Sequence, residues 1–359
     1  MPEKRAREAD AENGGDGCIH RAKAQQAGSV EVLDREAFTA RTKAARLRRN
    51  PTGPLMDAMY SSLVDGIVTD PDLMLVPLDD HAFIRGHAVF DTATLARGRV
   101  YRLGIHLDRL FASAKDARLQ LPFGPSEEQN RARITEIVCR TCVASGRRDG
   151  AVRMFLSGGP GNFGFTSAGC EPAFYCVVYG GMAFAFAPID EVTVRTVPMK
   201  PPLLARMKTN NYMLNVLTAM DAQDRGGKFG ILVRGDDTVA EGCVANCAVV
   251  TAERELITPT FGDVLAGTTV RKAMELAKRH LVGEGRPLKE VRQEVLSLAT
   301  ARAAVEVMML GGDTHVCPVR KLDGKLVGDG KPGPVTTELF RLLTEEAQQG
   351  CDEHIELKY

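Results

Sequence analysis

The sequence predicts a two-domain α/β (α+β) protein, with a smaller N-terminal domain and a larger C-terminal domain built on a mixed sheet. The chain has 359 residues, which is enough for two domains of ordinary size. Hydrophobic residues make up 44% and charged residues 26%, a balance typical of a globular protein with a full core. Short β-branched runs and stretches with helical spacing of apolar residues alternate from about residue 59 onward.

Residues 1–58 are expected to form an extension outside the two domains. The first 28 residues are charged and aperiodic, which is typical of disorder. Residues 30–49 then have apolar residues at helical spacing, and Asn50 and Pro51 end that pattern. We therefore expect an accessory helix there.

The small domain is predicted over residues 59–180, followed by a linker over residues 181–190. Its hairpin signal is the turn 96–98 between two β-branched runs, and its helices show apolar residues three and four positions apart. The predicted strands are 60–68, 73–78, 89–95, 99–103, 151–157 and 173–179, and the predicted helices are 106–119 and 127–145.

The large domain is predicted over residues 191–359 from the same two periodicities. The predicted strands are 192–197, 230–234, 244–251, 255–258, 288–295, 305–310 and 315–319, and the predicted helices are 212–225, 268–280 and 335–348, with a short helix before residue 305.

Charge and composition exclude several function classes. Lys plus Arg and Asp plus Glu both number 46, so bulk charge argues against a nucleic-acid or anionic-membrane partner. No apolar run approaches the ~20 residues of a membrane helix, and the N-terminus lacks the apolar core of a secretory signal. Nine cysteines, an odd number, suit free thiols in a reducing compartment. We expect a cytoplasmic protein, with targeting to an organelle left open.

Two short motifs match known signatures without predicting a site. Cys139 and Cys142 have C-x-x-C spacing, but they lie inside a predicted helix and no second Cys/His pair accompanies them, so no metal site is expected. Residues 159–164 match G-x-G-x-x-G, but they lead into another strand, whereas a dinucleotide fingerprint opens a helix.

Lys208 is the first candidate for chemistry, because it lies between a predicted strand and a predicted helix. Partial desolvation at such a position lowers a lysine pKa and frees the amine for Schiff-base chemistry. Glu241 follows a short apolar run, and a carboxylate at a strand end can be buried if it meets a cation. Taken singly, each residue is more typical of a solvated surface.

An anion site is predicted where Gly267, Thr268 and Thr269 begin a helix. Free N–H groups, hydroxyl donors and the helix dipole all favour a phosphate there. Arg109, on the helix 106–119, carries a guanidinium that can grip phosphate with two hydrogen bonds. An ordinary helix cap and a surface salt bridge are the alternatives.

Together these residues resemble the fold-type IV pyridoxal-phosphate enzymes, the class IV aminotransferases, over residues 59–359. Five segments resemble that family's motifs and follow its order. They are the phosphate-arginine helix (106–114), the Schiff-base lysine segment (208–211), the glutamate motif (241–246), the phosphate turn (267–271) and a late strand pair (306–319).

The resemblance implies pyridoxal 5′-phosphate as the cofactor and a homodimer as the assembly. It implies that Lys208 holds the cofactor covalently and then acts as general base, and that Glu241 pairs with the pyridine nitrogen. The cofactor-binding residues it implies are Arg109, Lys208, Glu241, Asn246, Gly267, Thr268, Thr269 and Gly312.

Within the family, the plant-type D-amino-acid transaminase group is the most similar, through residues 77–92, 157–161 and 200–202. The bacterial D-amino-acid enzymes of the family bind the substrate carboxylate with a tyrosine near position 83 and an Arg/His pair in a loop. This chain has Phe83 instead, and Arg85 is the expected replacement for the carboxylate contact. Phe83, Arg85 and Tyr212 are therefore the expected substrate contacts.

The implied reaction moves an amino group between an amino acid and a 2-oxo acid such as 2-oxoglutarate. A D-amino acid such as D-alanine is the favoured donor, and a branched-chain L-amino acid is the other candidate. Two further alternatives remain open. One is a 4-amino-4-deoxychorismate lyase that releases pyruvate and 4-aminobenzoate, and the other is a ligand-binding protein with a degenerate site, which the presence of both Lys208 and Glu241 disfavours.

Overall fold

The computed structural model describes residues 30–53, 55–180, 185–312, 315–349 and 351–359. The chain divides into two compact units, Met1–Ala45 and Arg46–Tyr359. Helix α1, Arg35–Arg49, matches the predicted accessory helix and buries none of its residues. The part of the extension predicted to be disordered, residues 1–28, lies outside the described residues.

Nine helices are described in total, together with a short 3-10 helix at Pro71–Leu73. They are α1, α2 (His81–Ile84), α3 (Leu103–Asp116), α4 (Glu127–Ala144), α5 (Pro202–Arg206), α6 (Met213–Asp224), α7 (Thr268–His280), α8 (Leu298–Ala303) and α9 (Pro334–Gln349).

The strands of the described chain form two sheets. They are β1 (Met56–Ser61), β2 (Gly66–Val68), β3 (Ala88–Ala96), β4 (Arg99–Tyr101), β5 (Gly150–Ser157), β6 (Ala173–Tyr179), β7 (Ile189–Glu191), β8 (Thr193–Val194), β9 (Ile231–Val233), β10 (Val239–Gly242), β11 (Asn246–Val250), β12 (Glu255–Thr258), β13 (Glu290–Gln293), β14 (Glu306–Gly311), β15 (His315–Leu322), β16 (Lys325–Leu326) and β17 (His354–Glu356).

The first sheet has seven strands in the order β17-β4-β3-β5-β6-β1-β2, and helices α3 and α4 pack on it. Helix α3 buries Leu103, Leu107, Leu110 and Ala114, whose spacing of three and four residues places them on one helix face. Helix α4 begins at Ser126, whose hydroxyl accepts a hydrogen bond from the Gln129 N–H at 3.1 Å. Helix α3 packs on β3 and helix α4 on β1 and β6, and together they cover the core of this sheet.

The second sheet has ten strands, with the path β16-β15-β14-β11-β10-β9-β8 and side branches through β12, β13 and β7. Helices α7 and α9 pack against each other and against β14. The first turn of α9 is capped by Glu306 of β14, whose carboxylate accepts the Val335 and Thr336 N–H groups at 3.1 and 2.8 Å. This buried cap fixes the register of α9 on the sheet.

The element prediction differs from the structure in several places. The strand predicted over residues 60–68 is interrupted by a turn between β1 and β2, and α2, α5, β7 and β16 were not predicted. The strand predicted over residues 73–78 is wrong, because Asp70 caps a 3-10 turn there and the following residues are irregular. The strand predicted over residues 192–197 shrinks to the two residues of β8. Strand β17 was not predicted, and it pairs with β4, so the C-terminal segment returns to the first sheet. The domain boundaries at 59–180 and 191–359 stay a prediction, and residues 181–184 of the linker lie outside the described residues.

None of the described helices is both long and apolar enough to cross a lipid bilayer.

Candidate active site

A cavity of about 220 Å³ is lined by residues of both sheets. The first sheet contributes residues of β3 and β5, and helix α3 adds Arg109. The second sheet contributes residues of β10, β11 and β14, and helix α7 adds its first turn. The cavity therefore lies where the two layers meet, a common position for ligand sites.

Lys208 is held against β3 by its own backbone. Its N–H donates to Ser113 Oγ at 3.1 Å, and its carbonyl accepts the Phe90 N–H at 2.9 Å. The Lys208 amine lies 3.5 Å from the Tyr212 hydroxyl and 4.6 Å from the centre of the Phe90 ring. The lysine segment thus pairs locally with β3, and the Lys208 side chain lies on the cavity wall.

Glu241 lies directly opposite Asn246 in the antiparallel pair β10 and β11, so their side chains share one face. Glu241 Oε2 accepts hydrogen bonds from Asn246 Nδ2 at 3.2 Å and from the Leu265 N–H at 3.1 Å. Burial raises the pKa of the Glu241 carboxyl to about 7, although Lys200, the Leu265 N–H, Lys208 and Arg109 oppose this rise. The carboxyl is therefore poised between its two charge states near neutral pH.

The N-terminus of α7 forms one wall of the cavity. Gly267 precedes the helix, and no side chain caps the free N–H groups of the first turn. A Cβ atom at Gly267 would lie 2.0 Å from Asn246 Oδ1, so any larger residue there would displace the Asn246 amide. Arg109 donates to the Ala266 carbonyl at 3.4 Å, which places its guanidinium beside the same turn. The free N–H groups and the guanidinium thus lie together, as an anion site requires, and their role in binding phosphate stays a prediction.

Arg109 is oriented by Asp91, a residue that sequence reasoning missed. Its Nε and Nη2 atoms donate to Asp91 Oδ2 and Oδ1 at 2.7 and 2.8 Å, and His106 Nδ1 lies 2.8 Å from Oδ1. Burial alone would raise the pKa of Asp91, but Arg109 and His106 outweigh it and hold that pKa well below its usual range. The available signal was that Asp91 is the only charged residue in β3.

The structure brings most of the predicted site residues together in this cavity. Those that line it are Arg109, Lys208, Tyr212, Glu241, Asn246, Gly267, Thr268, Thr269 and Gly312.

Phe83 and Arg85 do not line the cavity of this chain. Phe83 is 71% exposed. Arg85 donates to the carbonyls of Gly164 and Phe163 at 3.0 and 2.6 Å, so its guanidinium ties α2 to the glycine-rich loop. Their roles as substrate contacts stay a prediction.

Two further cations on the cavity wall were missed by sequence reasoning. Arg153 of β5 donates to Thr92 Oγ1 at 2.9 Å and lies 5.4 Å from the centre of the Phe90 ring. Lys200 lies just before Pro201 and Pro202, and burial lowers the pKa of its amine. An arginine inside an apolar strand was a signal for the first. The second lies in the segment 200–202, which the sequence marked only as part of the family resemblance.

Comparison with known proteins gives consistent matches. The profile of the family described as amino-transferase class IV matches residues 88–322. A D-amino-acid transaminase of Arabidopsis thaliana, described as chloroplastic, is 40% identical over 328 residues, covering 90% of this chain and 84% of that protein.

Two solved structures are similar in fold. The branched-chain amino acid aminotransferase of Escherichia coli aligns with a TM-score of 0.70 and 25% identity, covering 82% of this chain and 95% of that one. A hypothetical aminotransferase from Mycobacterium tuberculosis, solved in a PLP-bound form, aligns with a TM-score of 0.67 and 24% identity, covering 80% of this chain and 98% of that one.

Proposed function

This chain belongs to the class IV aminotransferases, which depend on pyridoxal 5′-phosphate, and from this premise we propose that it transfers the amino group of a D-amino acid, such as D-alanine, to a 2-oxo acid such as 2-oxoglutarate. The family, the two-domain α/β fold and the cofactor predicted from the sequence motifs are thereby confirmed. The observation that carries the proposal is the cavity in which Lys208, Glu241 and the α7 N-terminus meet.

The residues of the cavity fit this cofactor. The uncapped first turn of α7 and the guanidinium of Arg109 suit a phosphate group. Both hydrogen bonds to Glu241 reach Oε2, and no described residue donates one to Oε1. A protonated ring nitrogen would supply that missing partner. Lys208 would hold the cofactor from the opposite wall, where its amine already lies close to the Tyr212 hydroxyl.

When bound, pyridoxal phosphate supplies an electron sink that stabilises negative charge at the substrate Cα atom. With the cofactor bound, the Lys208 amine would be the general base that takes up the proton of the substrate Cα atom. The Phe90 ring and the Tyr212 hydroxyl hold that amine in place. The Glu241 carboxylate stabilises positive charge at the ring nitrogen, and Asn246 fixes its orientation.

The proposal of a D-amino-acid donor follows the 40% identical relative, which is named a D-amino-acid transaminase. A branched-chain L-amino acid is the alternative, supported by the Escherichia coli structure. Either donor brings a carboxylate into the cavity, and Arg153, held by Thr92, provides a cation to receive it.

The test is a half-reaction assay on the purified, cofactor-loaded protein. D-Alanine, L-leucine and 4-amino-4-deoxychorismate are added one at a time while the absorbance of the cofactor is followed. We expect D-alanine to convert the cofactor to its pyridoxamine form and L-leucine to leave it unchanged. Faster conversion by L-leucine would favour the branched-chain reaction, release of 4-aminobenzoate would favour the lyase, and no reaction with any of them would exclude amino transfer from these donors.

We also propose a homodimer, because α6 exposes an apolar face directly after the lysine segment. Met213, Val216, Leu217 and Met220 are 70%, 49%, 42% and 54% exposed, and their spacing places them on one side of the helix. An exposed apolar patch of this kind marks an interface.

Light scattering is expected to give twice the mass of the chain. Met220→Glu is expected to shift the protein toward the monomer, because it places a charge in the apolar face. Lys278→Glu, on the exposed side of α7, is the matched control and leaves the mass unchanged. A monomeric wild-type protein would contradict the proposal.

For the cellular location, the sequence predicts the cytoplasm. An organelle is the alternative, because the Arabidopsis relative is described as chloroplastic.

A further inference from the structure

Lys200 is a second lysine on the cavity wall, and the chemistry described above does not use it. The residue before a proline is largely confined to extended backbone conformations. Lys200 precedes Pro201, and α5 begins at the next residue, Pro202. The Lys200 amine lies 5.5 Å from the centre of the Tyr212 ring, a distance at which a cation is attracted to the ring face. The backbone of Lys200 is therefore restrained, and its amine lies on the cavity wall beside the Tyr212 ring.

The Lys200 amine makes no salt bridge and no hydrogen bond with any other described residue. Glu241 Oε1, on the wall of the same cavity, likewise receives no hydrogen bond from a described residue. The Lys200 amine and the Glu241 Oε1 atom, neither of which has a hydrogen-bond partner among the described residues, thus lie on the wall of one partly desolvated cavity. Charges interact more strongly there than in water.

The groups that face Glu241 are Lys200, Lys208, Arg109, the Asn246 amide and the Leu265 N–H. Arg109 is already paired with Asp91 through two hydrogen bonds. Lys200 lowers the pKa of Glu241 more than Lys208 or Arg109 does, against the rise caused by burial. In turn, Glu241 raises the pKa of Lys200 more than any other group does, against the fall caused by burial. The influence is therefore mutual.

We propose that Lys200 is a positioning residue whose ammonium favours the ionised form of Glu241, so that the carboxylate is ready to receive the ring nitrogen of the cofactor. This inference rests on the proposed function, because it assigns Glu241 to that nitrogen. Without Lys200, burial would leave Glu241 neutral over a wider range of pH, and a neutral carboxyl group offers a cationic ring less attraction.

The test compares wild-type protein with Lys200→Met and with Lys200→Arg, which keeps the charge. Two quantities are measured: the dissociation constant of pyridoxal phosphate on either side of pH 7, and the ionisation of Glu241 in the cofactor-free protein. The second is followed by infrared difference spectroscopy of the carboxyl band, with Glu241→Gln as the blank. Circular dichroism checks folding, and Lys200→Gln replaces the methionine variant should that variant not fold.

We expect Lys200→Met to weaken cofactor binding about tenfold at and below pH 7. A nearby opposite charge shifts the pKa of a carboxyl group by about one unit, which is a tenfold change in its ionisation equilibrium. The loss should shrink as the pH rises, because Glu241 then ionises in both proteins. The carboxyl band should titrate at higher pH in this variant, and Lys200→Arg should stay close to wild type.

Equal titration of Glu241 in wild type and Lys200→Met would overturn the inference. So would a loss of affinity that is the same at every pH and is shared by Lys200→Arg, since that pattern indicates packing and not charge. These outcomes leave the proposed function intact when wild-type protein binds the cofactor and reacts with an amino acid. Wild-type protein that binds no cofactor would overturn the proposed function itself.

Discussion

Lys208→Ala is expected to abolish covalent attachment of the cofactor and to lower turnover by about 10,000-fold, the upper range for loss of a general base. The amine is the group placed to take the Cα proton, and its neighbours Phe90 and Tyr212 carry no comparable base. Noncovalent binding should persist, because Arg109 and the first turn of α7 are untouched. Single-turnover kinetics and equilibrium dialysis measure the two effects separately.

Borohydride reduction followed by peptide mapping provides the control for this prediction. The wild-type label is expected on Lys208, and Lys200→Met should keep that label because its change lies elsewhere on the cavity wall. A label on Lys200 in wild-type protein, or an unchanged label in Lys208→Ala, would show that another amine makes the link.

Asp91→Asn is expected to destabilise the protein by about 3–5 kcal/mol, the cost of breaking a buried ion pair by removing one partner. Asp91 is fully buried, and its carboxylate holds both Arg109 and His106. Asparagine would leave the guanidinium without a counter-charge and displace it from the α7 turn, so cofactor affinity should fall as well. Urea unfolding of the cofactor-free protein measures the stability change.

The pH dependence of this effect has a definite sign. The folded pKa of Asp91 lies below its unfolded value of about 3.9, so its contribution is present above that pH and is lost as the pH falls toward the folded pKa. In Asp91→Asn, the free energy of unfolding should therefore fall less steeply than in wild type as the pH is lowered below about 3.9.

Asp108→Asn is the matched control for the buried pair. Asp108 accepts a hydrogen bond from Arg131 at 2.7 Å, but its side chain is 66% exposed. Its replacement should change stability by less than about 1 kcal/mol, since solvent screens an exposed pair. If both substitutions lowered the free energy of unfolding by the same amount, the prediction that the buried Asp91 pair contributes more than the exposed Asp108 pair would be wrong.

Much of the site was predictable because its parts are local patterns. Gly267 and two threonines ahead of a periodic apolar stretch predicted a helix over residues 268–280, and α7 spans Thr268–His280. The segments around Lys208 and Glu241 resembled family motifs, and the structure places both residues on one cavity. The strand predicted over residues 73–78 failed because a local side-chain cap at Asp70 overrode apolar alternation.

The sequence by itself determined the family, the cofactor and most of the helix boundaries, since each depends on residues close together in the chain. Only the tertiary structure decided that Asp91 orients Arg109, that Arg85 is engaged by the glycine-rich loop, and that Lys200 shares a cavity with Glu241. It also decided that β17 returns to the first sheet. Charge pairing and strand pairing act between residues that are distant in sequence, and their strength depends on burial, which a linear pattern does not contain.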